Sequence, residues 1–397
     1  MCAVWYEKQY RHSLHPMVVH VTLGSAITDY SKRGRMTNRE RMTRFVKGQT
    51  TDRVPFVQYD HIGGPNHDIW NVVGRQNMGI SVWTLPYQVK TSPCFISSEP
   101  IVYNGYKGIR DTLHTPKGDL FQIRVSVPAL PKVMSIKKHY VHNPEDYLIV
   151  MAYLQSMNFE ADRIAVQRVW DYVEDDGIPH VWIGRTPYQE LWVDWVSMAD
   201  LSFHLVDIPD LLDELMLILG ENLLKKAVLV AELSDSVEIP YVVIGDNITA
   251  PLIGSDRFAR YCVPYYQQVA EILHAKNLEL LVHMDGDLQS LRQLIAISKL
   301  GGIDSFSPQP DNDMTISEAL HYWPGIKLLM NFPSSVHLLS ERDIYAKTRE
   351  LLAEADGTGA LQIQISENPP PGRWVVSYPQ IIRAIEDHAR DHRFQDH

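Results

Sequence analysis

The sequence predicts an α/β protein whose core is a single (β/α)8 barrel, the TIM-barrel fold. Short apolar runs typical of buried parallel strands alternate with stretches whose apolar residues recur every three or four positions. Most of these strands are followed by a helix, and their number favours a closed barrel over an open sheet. A chain of 397 residues, 45% hydrophobic and 21% charged, is long enough to bury such a core.

The first segment of the chain differs from the rest. Residues 1–35 show neither strand nor helix periodicity, which predicts an N-terminal arm that packs loosely or pairs with a second subunit in a homodimer. The barrel domain is expected to span residues 36–397. It begins with an amphipathic helix that Thr37 caps and whose apolar side includes Met42, Phe45 and Val46.

The alternation of strands and helices continues to the C-terminus. The predicted strands are residues 54–59, 180–184, 241–245, 278–283, 303–306, 326–331 and 361–366, and an eighth is expected near 201–206. The predicted helices are residues 160–173, 208–229, 255–275, 288–299, 341–353 and 377–388. A stretch from about 74 to 134, rich in Val, Tyr, Thr, Gly and Pro, predicts an antiparallel β insertion after the first strand.

Composition excludes several classes of function. A formal net charge of −11 argues against a nucleic-acid or anionic-membrane surface. No window approaches the ~20 apolar residues of a membrane span, and no apolar run near the N-terminus indicates a signal peptide. Three cysteines far apart in the chain do not predict a disulfide framework, so a cytoplasmic protein is expected. There is no glycine-rich phosphate loop and no dinucleotide fingerprint.

Three separated segments carry a resemblance to a known family. They are Met36-Thr-Asn-Arg-Glu-Arg with Thr51-Asp-Arg-Val-Pro-Phe56, then Leu280-Leu-Val-His-Met-Asp-Gly-Asp287 with Gly301-Gly-Ile-Asp-Ser-Phe306, and Ser366-Glu-Asn-Pro-Pro-Pro371. Over roughly residues 36–390 the chain resembles the uroporphyrinogen-decarboxylase superfamily. That resemblance implies a TIM barrel with its working site at the C-terminal ends of the strands.

The superfamily contains true decarboxylases and cobalamin-dependent methyltransferases. The decarboxylases carry an Arg-Gln-Ala-Gly-Arg segment after the first strand, whose arginines bind the carboxylates of the substrate. Here that stretch is Gln58-Tyr-Asp-His-Ile-Gly-Gly-Pro65, which has no arginine. The resemblance therefore favours the methyltransferase branch. It implies zinc and a methyl group moved from a small donor, such as an aryl methyl ether in O-demethylation, to a corrinoid protein. The chain has no Asp-x-His-x-x-Gly segment, so the partner is expected to bring the cobalamin.

A zinc site is predicted from residues at strand ends. Zinc activates a methyl donor by withdrawing charge from its heteroatom, and it binds His, Cys and carboxylate ligands with one position open. Asp246, Cys262 and His283 form the predicted metal set, with 15 residues between the first two and 20 between the last two. The family's acid–acid–His pattern has similar spacing, from which Cys262 departs. Alternatively, Asp246 is a turn residue, Cys262 a small core residue and His283 a core histidine.

Further polar and aromatic residues near strand ends complete the candidate site. His283, Glu367 and Asp285 are the predicted catalytic residues, with Glu367 as a further ligand or proton donor and Asp285 as a partner of the His283 ring. The predicted substrate-binding residues are Tyr59, Asp60, Trp182, Gln309 and Asn331. Two other functions stay open at this point: a metal-assisted decarboxylase or lyase of the same superfamily, and a non-catalytic binding barrel.

Overall fold

Eight parallel strands close into a barrel in the computed structural model of the chain, which describes residues 36–127 and 130–393. Around the barrel the strands are β1 (Phe56–Tyr59), β2 (Gly79–Thr84), β9 (Gly177–Gly184), β10 (Val242–Ile244), β11 (Leu280–His283), β12 (Gly302–Phe306), β13 (Lys327–Asn331) and β14 (Leu361–Ile365). The ring closes because β1 pairs in parallel with both β14 and β2. The predicted fold class is confirmed. The predicted arm at residues 1–35 lies outside the described residues.

The eighth barrel strand is β2, which corrects the prediction in one detail. The stretch near 201–206, expected as that strand, lies in the helix Met198–Asp207. The antiparallel insertion follows the second barrel strand, not the first, and extends from Tyr87 to Ala161. In it, β3 (Tyr87–Thr91) pairs with β8 (Met157–Ala161). The other four strands form one sheet: β4 (Phe95–Tyr103), β5 (Tyr106–Thr115), β6 (Gly118–Val127) and β7 (Leu130–Lys138).

Helices surround the barrel and join its strands. The longer ones are Asn38–Val46, Asn66–Val73, Arg163–Val173, Met198–Asp207, Pro209–Leu233, Ser255–Tyr261, Val263–His274, Ile316–Tyr322, Glu341–Glu354 and Trp374–Arg393, and the insertion adds Asp146–Gln155. Thr37 caps the first of them by accepting a hydrogen bond from the Glu40 N–H. In the residues that the structure describes, no helix is both long and apolar enough to cross a membrane.

The predicted helix 255–275 is two helices with a break at Cys262. The first ends at Tyr261, and the second begins at Val263 with Pro264 in its first turn. Proline lacks a backbone N–H and clashes with the preceding turn, so it is tolerated at the start of a helix but not inside one. The position of this break decides where the Cys262 side chain points.

A layer of polar side chains lies inside the barrel. His180 Nδ1 is 3.4 Å from Ser81 Oγ and 3.2 Å from Tyr241 Oη. Gln364 Nε2 donates to Asp304 Oδ1 at 2.8 Å. All five residues are buried, so these hydrogen bonds offset the cost of removing their polar groups from water. This layer fixes the side chains on which the candidate site rests.

Candidate active site

His283 is the last residue of β11, and its ring is hydrogen-bonded to a buried carboxylate. Its Nδ1 atom lies 2.9 Å from Oδ2 of Asp304, which comes from the neighbouring strand β12. The Tyr59 hydroxyl, from the end of β1, donates to the same carboxylate oxygen and lies 3.5 Å from His283 Nδ1. With Nδ1–H donating to Asp304, Nε2 is directed away from that contact, towards Asp285 and Glu367. The ring therefore presents one defined nitrogen to the rest of the site.

A bulge at the end of β12 accompanies this arrangement. The register of β12 against β13 shifts between Asp304 and Phe306, and Ser305 between them has a φ of +61°. A left-handed conformation at a residue other than glycine costs about 1–2 kcal/mol, so its surroundings must hold it. The Ser305 hydroxyl donates to Ser366 Oγ at 2.6 Å. Such bulges often redirect side chains next to active sites.

Asp285 follows His283 in the loop after β11. One of its oxygens lies 3.8 Å from His283 Nε2 and accepts a hydrogen bond from Asn247 Nδ2 at 3.3 Å. The next residue, Gly286, donates its N–H to the Ile248 carbonyl, and a Cβ there would lie 2.2 Å from that of Thr249. Only glycine allows the two loops to approach so closely. This contact fixes the turn that carries Asp285.

Glu367 approaches His283 from the end of β14. Its Oε1 atom lies 3.7 Å from His283 Nε2, and its side chain is 41% exposed. Asn331, at the end of β13, accepts hydrogen bonds through Oδ1 from the N–H of Ser366 and of Glu367, each at 3.2 Å. Asn331 therefore positions the backbone that carries Glu367, and the substrate contact predicted for it stays a prediction.

His283, Asp285 and Glu367 form a group with the donors of a metal site. One ligand atom from each lies within 4.8 Å of the other two. An imidazole nitrogen and two carboxylate oxygens are ligands that zinc accepts, and three protein ligands leave a position for substrate. The Asp304 carboxylate on the other ring nitrogen is the outer partner that metal-binding histidines usually have. These residues fit a zinc ion.

The carboxylates around His283 control its charge. Burial acts to lower the pKa of His283, but hydrogen bonds and charges from Asp285 and Asp304 raise it to about 10. Burial alone would raise the pKa of Asp304, whereas the imidazoles of His180 and His283 and the Tyr59 hydroxyl lower it to about 2. In the absence of a metal, His283 is therefore an imidazolium beside an ionised Asp304 at neutral pH.

The two outer carboxyl groups respond in opposite directions. Burial raises the pKa of Glu367 to about 7, because the charges of Asp285 and Asp304 act with burial against the attraction of His283. The pKa of Asp285 is lowered, since the hydrogen bond and charge of His283 outweigh its burial. At neutral pH, Glu367 can hold or release a proton while Asp285 stays ionised.

The predicted metal set of Asp246, Cys262 and His283 is not formed. Both oxygens of Asp246 accept hydrogen bonds from Thr186, from the N–H at 2.8 Å and the hydroxyl at 2.7 Å. The Tyr266 hydroxyl donates to Asp246 at 2.6 Å. Cys262 Sγ lies 3.3 Å from the Thr186 hydroxyl. In the described part of the chain, neither Asp246 nor Cys262 belongs to a group of three donors close enough to share an ion.

The surroundings of Cys262 explain this correction. The residue is fully buried at the helix break, and burial together with the charge of Asp246 raises the pKa of its thiol well above the usual range. The contact of its Sγ atom with the Thr186 hydroxyl belongs to the same buried hydrogen-bonded group as Asp246. Asp246 and Cys262 are therefore structural residues that join β10 to the loop after β9 and to the helix Val263–His274.

Aromatic rings line the barrel beside His283. Trp83 lies 5.4 Å from Tyr59, 4.4 Å from His180 and 6.1 Å from Trp182, measured between ring centroids. Trp182 packs on Gly245, where an added Cβ would lie 2.1 Å from its Nε1 atom. Tyr59, Trp83 and Trp182 thus form a continuous aromatic wall.

Two of the predicted substrate-binding residues have other surroundings. Asp60 accepts hydrogen bonds from Asn66 Nδ2 at 2.6 Å and from the Tyr172 hydroxyl at 3.3 Å, so it organises the loop after β1. Gln309 is exposed in the loop after β12, and its N–H donates to the Met314 carbonyl. The structure does not bring either residue into contact with His283, Asp285 or Glu367.

Sequence reasoning missed Asp304, Asn247 and Trp83. Asp304 lies within the quoted segment Gly301-Gly-Ile-Asp-Ser-Phe306, so a signal for it was present. Its inward direction depends on the strand register. Asn247 adjoins Asp246, and only the folded loops show that its amide donates to Asp285 and accepts from Arg185 at 2.7 Å. Trp83 belongs to the barrel strand that the prediction did not recognise.

Comparison with known proteins gives a likeness of fold. No family model and no curated protein matches the sequence. Among solved structures, the chain is similar to a methyltransferase from Methanosarcina mazei, with a TM-score of 0.54 and 15% identity. The match covers 89% of this chain and 99% of the methyltransferase. At this identity the likeness concerns the fold.

Two further matches are weaker. One is a chain from a structure of the tandem catalytic modules in a pneumococcal exo-β-D-N-acetylglucosaminidase, with a TM-score of 0.40, 10% identity and coverage of 88% of this chain and 86% of that one. The other is a chitinase from Chromobacterium violaceum, with a TM-score of 0.36, 10% identity and coverage of 83% and 99%. Neither contributes to the argument about function.

Proposed function

We propose that this chain is a zinc-dependent methyltransferase that moves a methyl group from a small donor to a corrinoid protein. The observation that carries the proposal is the convergence of His283, Asp285 and Glu367 at three strand ends, with donor atoms within 4.8 Å of one another. The fold likeness to a methyltransferase from Methanosarcina mazei supports the same reading. The proposed ligands replace the Asp246 and Cys262 of the sequence prediction.

The surrounding residues prepare this donor set. Asp304 holds the His283 ring through Nδ1, so that Nε2 is the nitrogen available to an ion. Asn247 holds the Asp285 carboxylate, and Asn331 holds the backbone of Glu367. Ligands fixed by such outer contacts lose less conformational freedom when an ion binds.

A zinc ion held there would supply Lewis acidity at the heteroatom of the methyl donor. The protein side chains supply the rest. Glu367 would serve as one of the three ligands, and the zinc ion would stabilise the aryl oxide that leaves. The aromatic wall of Tyr59, Trp83 and Trp182 would orient an aromatic donor by stacking. These contacts favour an aryl methyl ether, so that the overall reaction is an O-demethylation.

The methyl acceptor would be a corrinoid carried by another protein. The chain has no Asp-x-His-x-x-Gly segment of the kind that binds cobalamin. The proposed ligands lie at the C-terminal ends of the strands, which is the face where barrel enzymes place their chemistry. A partner would have to approach this face for the methyl group to be transferred.

The test combines metal content with methyl transfer. The purified protein should contain zinc, and His283→Ala should lose one zinc per chain together with the transfer of methyl from an aryl methyl ether to cob(I)alamin. Cys262→Ser is the matched control, because it changes a residue of the sequence-predicted set that the geometry removes from the site. It should keep both zinc and activity.

Three outcomes contradict the proposal. A His283→Ala variant that retains all its zinc excludes the ligand set. Full activity in the presence of a strong chelator indicates metal-free acid–base chemistry and the decarboxylase or lyase alternative. Zinc binding without methyl transfer from aryl ethers, alcohols or amines to cob(I)alamin indicates a binding barrel.

A further inference from the structure

A second group of metal-binding side chains lies at the other end of the barrel. It consists of Asp356, His388 and His392, whose donor atoms lie within 4.8 Å of one another. Asp356 follows the helix Glu341–Glu354 and precedes β14, so it belongs to the face where the barrel strands begin. The candidate active site lies where the strands end. The two groups are therefore separate sites.

The two histidines share one face of the last helix. They are four residues apart in the helix Trp374–Arg393, which brings side chains above one another. Their ring centroids are 4.2 Å apart. His392 Nε2 lies 2.8 Å from the Asp356 carboxylate, and His388 Nε2 lies 3.8 Å from it. Both Nε2 atoms thus face the same carboxylate.

The tautomer of His392 is set by its own helix. Its Nδ1–H donates to the His388 carbonyl at 2.7 Å, which leaves Nε2 as the ligand atom when a metal replaces the proton. His388 is largely buried, with a side chain 13% exposed, whereas the side chains of His392 and Asp356 are 37% and 47% exposed. The group is partly preorganised and still open to solvent.

The positive charge of Arg349 acts on His388. Arg349 is paired with Asp391 at 2.6 Å, which offsets its repulsion of a bound cation. Two imidazole nitrogens and one carboxylate are a ligand set typical of zinc, with a fourth position for water. Metal sites made from two elements stabilise the fold by joining them.

We propose that Asp356, His388 and His392 bind a zinc ion that clamps the end of the helix Trp374–Arg393 to the turn after the helix Glu341–Glu354. The face where barrel strands begin usually serves stability rather than chemistry. A zinc ion there would accordingly stabilise the fold, with no part in the reaction.

The experiment uses the full chain with His283→Ala, so that zinc at the proposed active site does not contribute. After treatment with a chelator, this parent should take up one zinc per chain in equilibrium dialysis at micromolar zinc. Adding His388→Ala or His392→Ala should abolish that uptake. His274→Ala is the matched control. His274 lies 3.6 Å from Glu279, but among the described residues it belongs to no group of three possible metal ligands.

Thermal unfolding gives a second measurement on the same proteins. Zinc should raise the unfolding midpoint of the parent and of the His274→Ala variant, because a ligand bound only by the folded state stabilises it. It should leave the midpoint of the His392→Ala variant unchanged. No uptake by the folded parent, or full uptake by the His392→Ala variant, would overturn the proposal. Neither result bears on the active-site zinc, because His283 is absent from all the variants.

Discussion

Nδ1 of His283 and Oδ2 of Asp304 lie 2.9 Å apart in the interior of the barrel. This contact joins the end of β11 to the middle of β12 and directs the other ring nitrogen of His283 towards Asp285 and Glu367. Asp304 is fully buried, and it also accepts hydrogen bonds from Tyr59 and Gln364. A buried carboxylate with this many donors keeps its charge and its position.

Asp304→Asn should weaken the candidate active site, and it should also reduce stability because an amide cannot accept hydrogen bonds from Tyr59, Gln364 and His283 together. The neutral amide cannot stabilise the His283 imidazolium, so the pKa of His283 in the zinc-free protein should fall from about 10. The zinc affinity of the candidate active site should fall about 10–100-fold, which is the usual cost of losing a hydrogen-bond partner of a metal ligand. NMR titration of the His283 ring and competition with a chelating dye measure these effects.

Tyr59→Phe is the control for this prediction. It removes a hydrogen bond to the same carboxylate but retains the negative charge of Asp304. The change in the His283 pKa should therefore be smaller than for Asp304→Asn. An unchanged His283 pKa in Asp304→Asn would show that the 2.9 Å contact does not control the ring.

Asp246→Asn should reduce stability and leave zinc content unchanged. The Asp246 carboxylate accepts three hydrogen bonds, two from Thr186 and one from Tyr266, and an amide cannot accept all of them. A buried donor left without an acceptor costs about 1–3 kcal/mol of unfolding free energy. Urea denaturation measures the loss, and Thr186→Val supplies the partner for a double-mutant cycle. Loss of zinc with unchanged stability would restore Asp246 as a ligand.

The barrel could be predicted because each of seven strands is a local apolar run bounded by loops. The strand Gly79–Thr84 was missed, since no helix separates it from the antiparallel strand that begins at Tyr87. A Val- and Thr-rich pattern is the same for a parallel and an antiparallel strand. Only the pairing of Gly79–Thr84 with β1 and β9 identifies it as part of the barrel.

The candidate site could be predicted where the strand end itself carries the residue. His283, Asp285 and Glu367 all follow this rule, because strand ends meet at one face of a barrel. The choice of Asp246 and Cys262 depended on spacing along the chain. Spacing does not show that Thr186 and Tyr266 occupy the Asp246 carboxylate. It also does not show which way a side chain points at a helix break.

Stability should fall as the solution is acidified, and His337 should be one cause. Burial lowers the pKa of His337 to about 4, while the unfolded value is near 6.5. Between these values the unfolded chain binds a proton that the folded protein does not bind. The contribution of His337 is therefore fully present above pH 6.5 and decreases as the pH falls towards 4.

The size of this effect is measurable by comparison. Linkage gives a loss of about 2 kcal/mol of unfolding free energy between pH 7 and pH 5. Urea unfolding at pH 7 and pH 5 gives the drop in unfolding free energy for the native chain and for His337→Gln. The drop should be larger in the native chain by about this amount, since glutamine does not titrate. Nδ1 of His337 lies 2.7 Å from the Ser377 hydroxyl, so the variant is expected to be less stable at pH 7. Equal pH dependence of the two proteins would contradict a buried, neutral His337.

Zinc binding at the candidate active site should release protons in a number that depends on pH. Burial acts to lower the pKa of His283, but Asp285 and Asp304 raise it to about 10, so His283 must lose a proton to become a ligand. The pKa of Glu367 is raised to about 7, mainly by burial, so this group is mostly ionised at pH 8 and mostly protonated at pH 6. Zinc should thus release about one proton at pH 8 and about two at pH 6.

Calorimetry in two buffers with different ionisation enthalpies counts these protons. A His392→Ala background keeps the site at Asp356 from contributing. Glu367→Gln should release about one proton at both pH values, because only His283 then titrates. If the protein that retains Glu367 releases the same number of protons at pH 6 and at pH 8, Glu367 is not a zinc ligand. The ligand set then consists of His283 and Asp285.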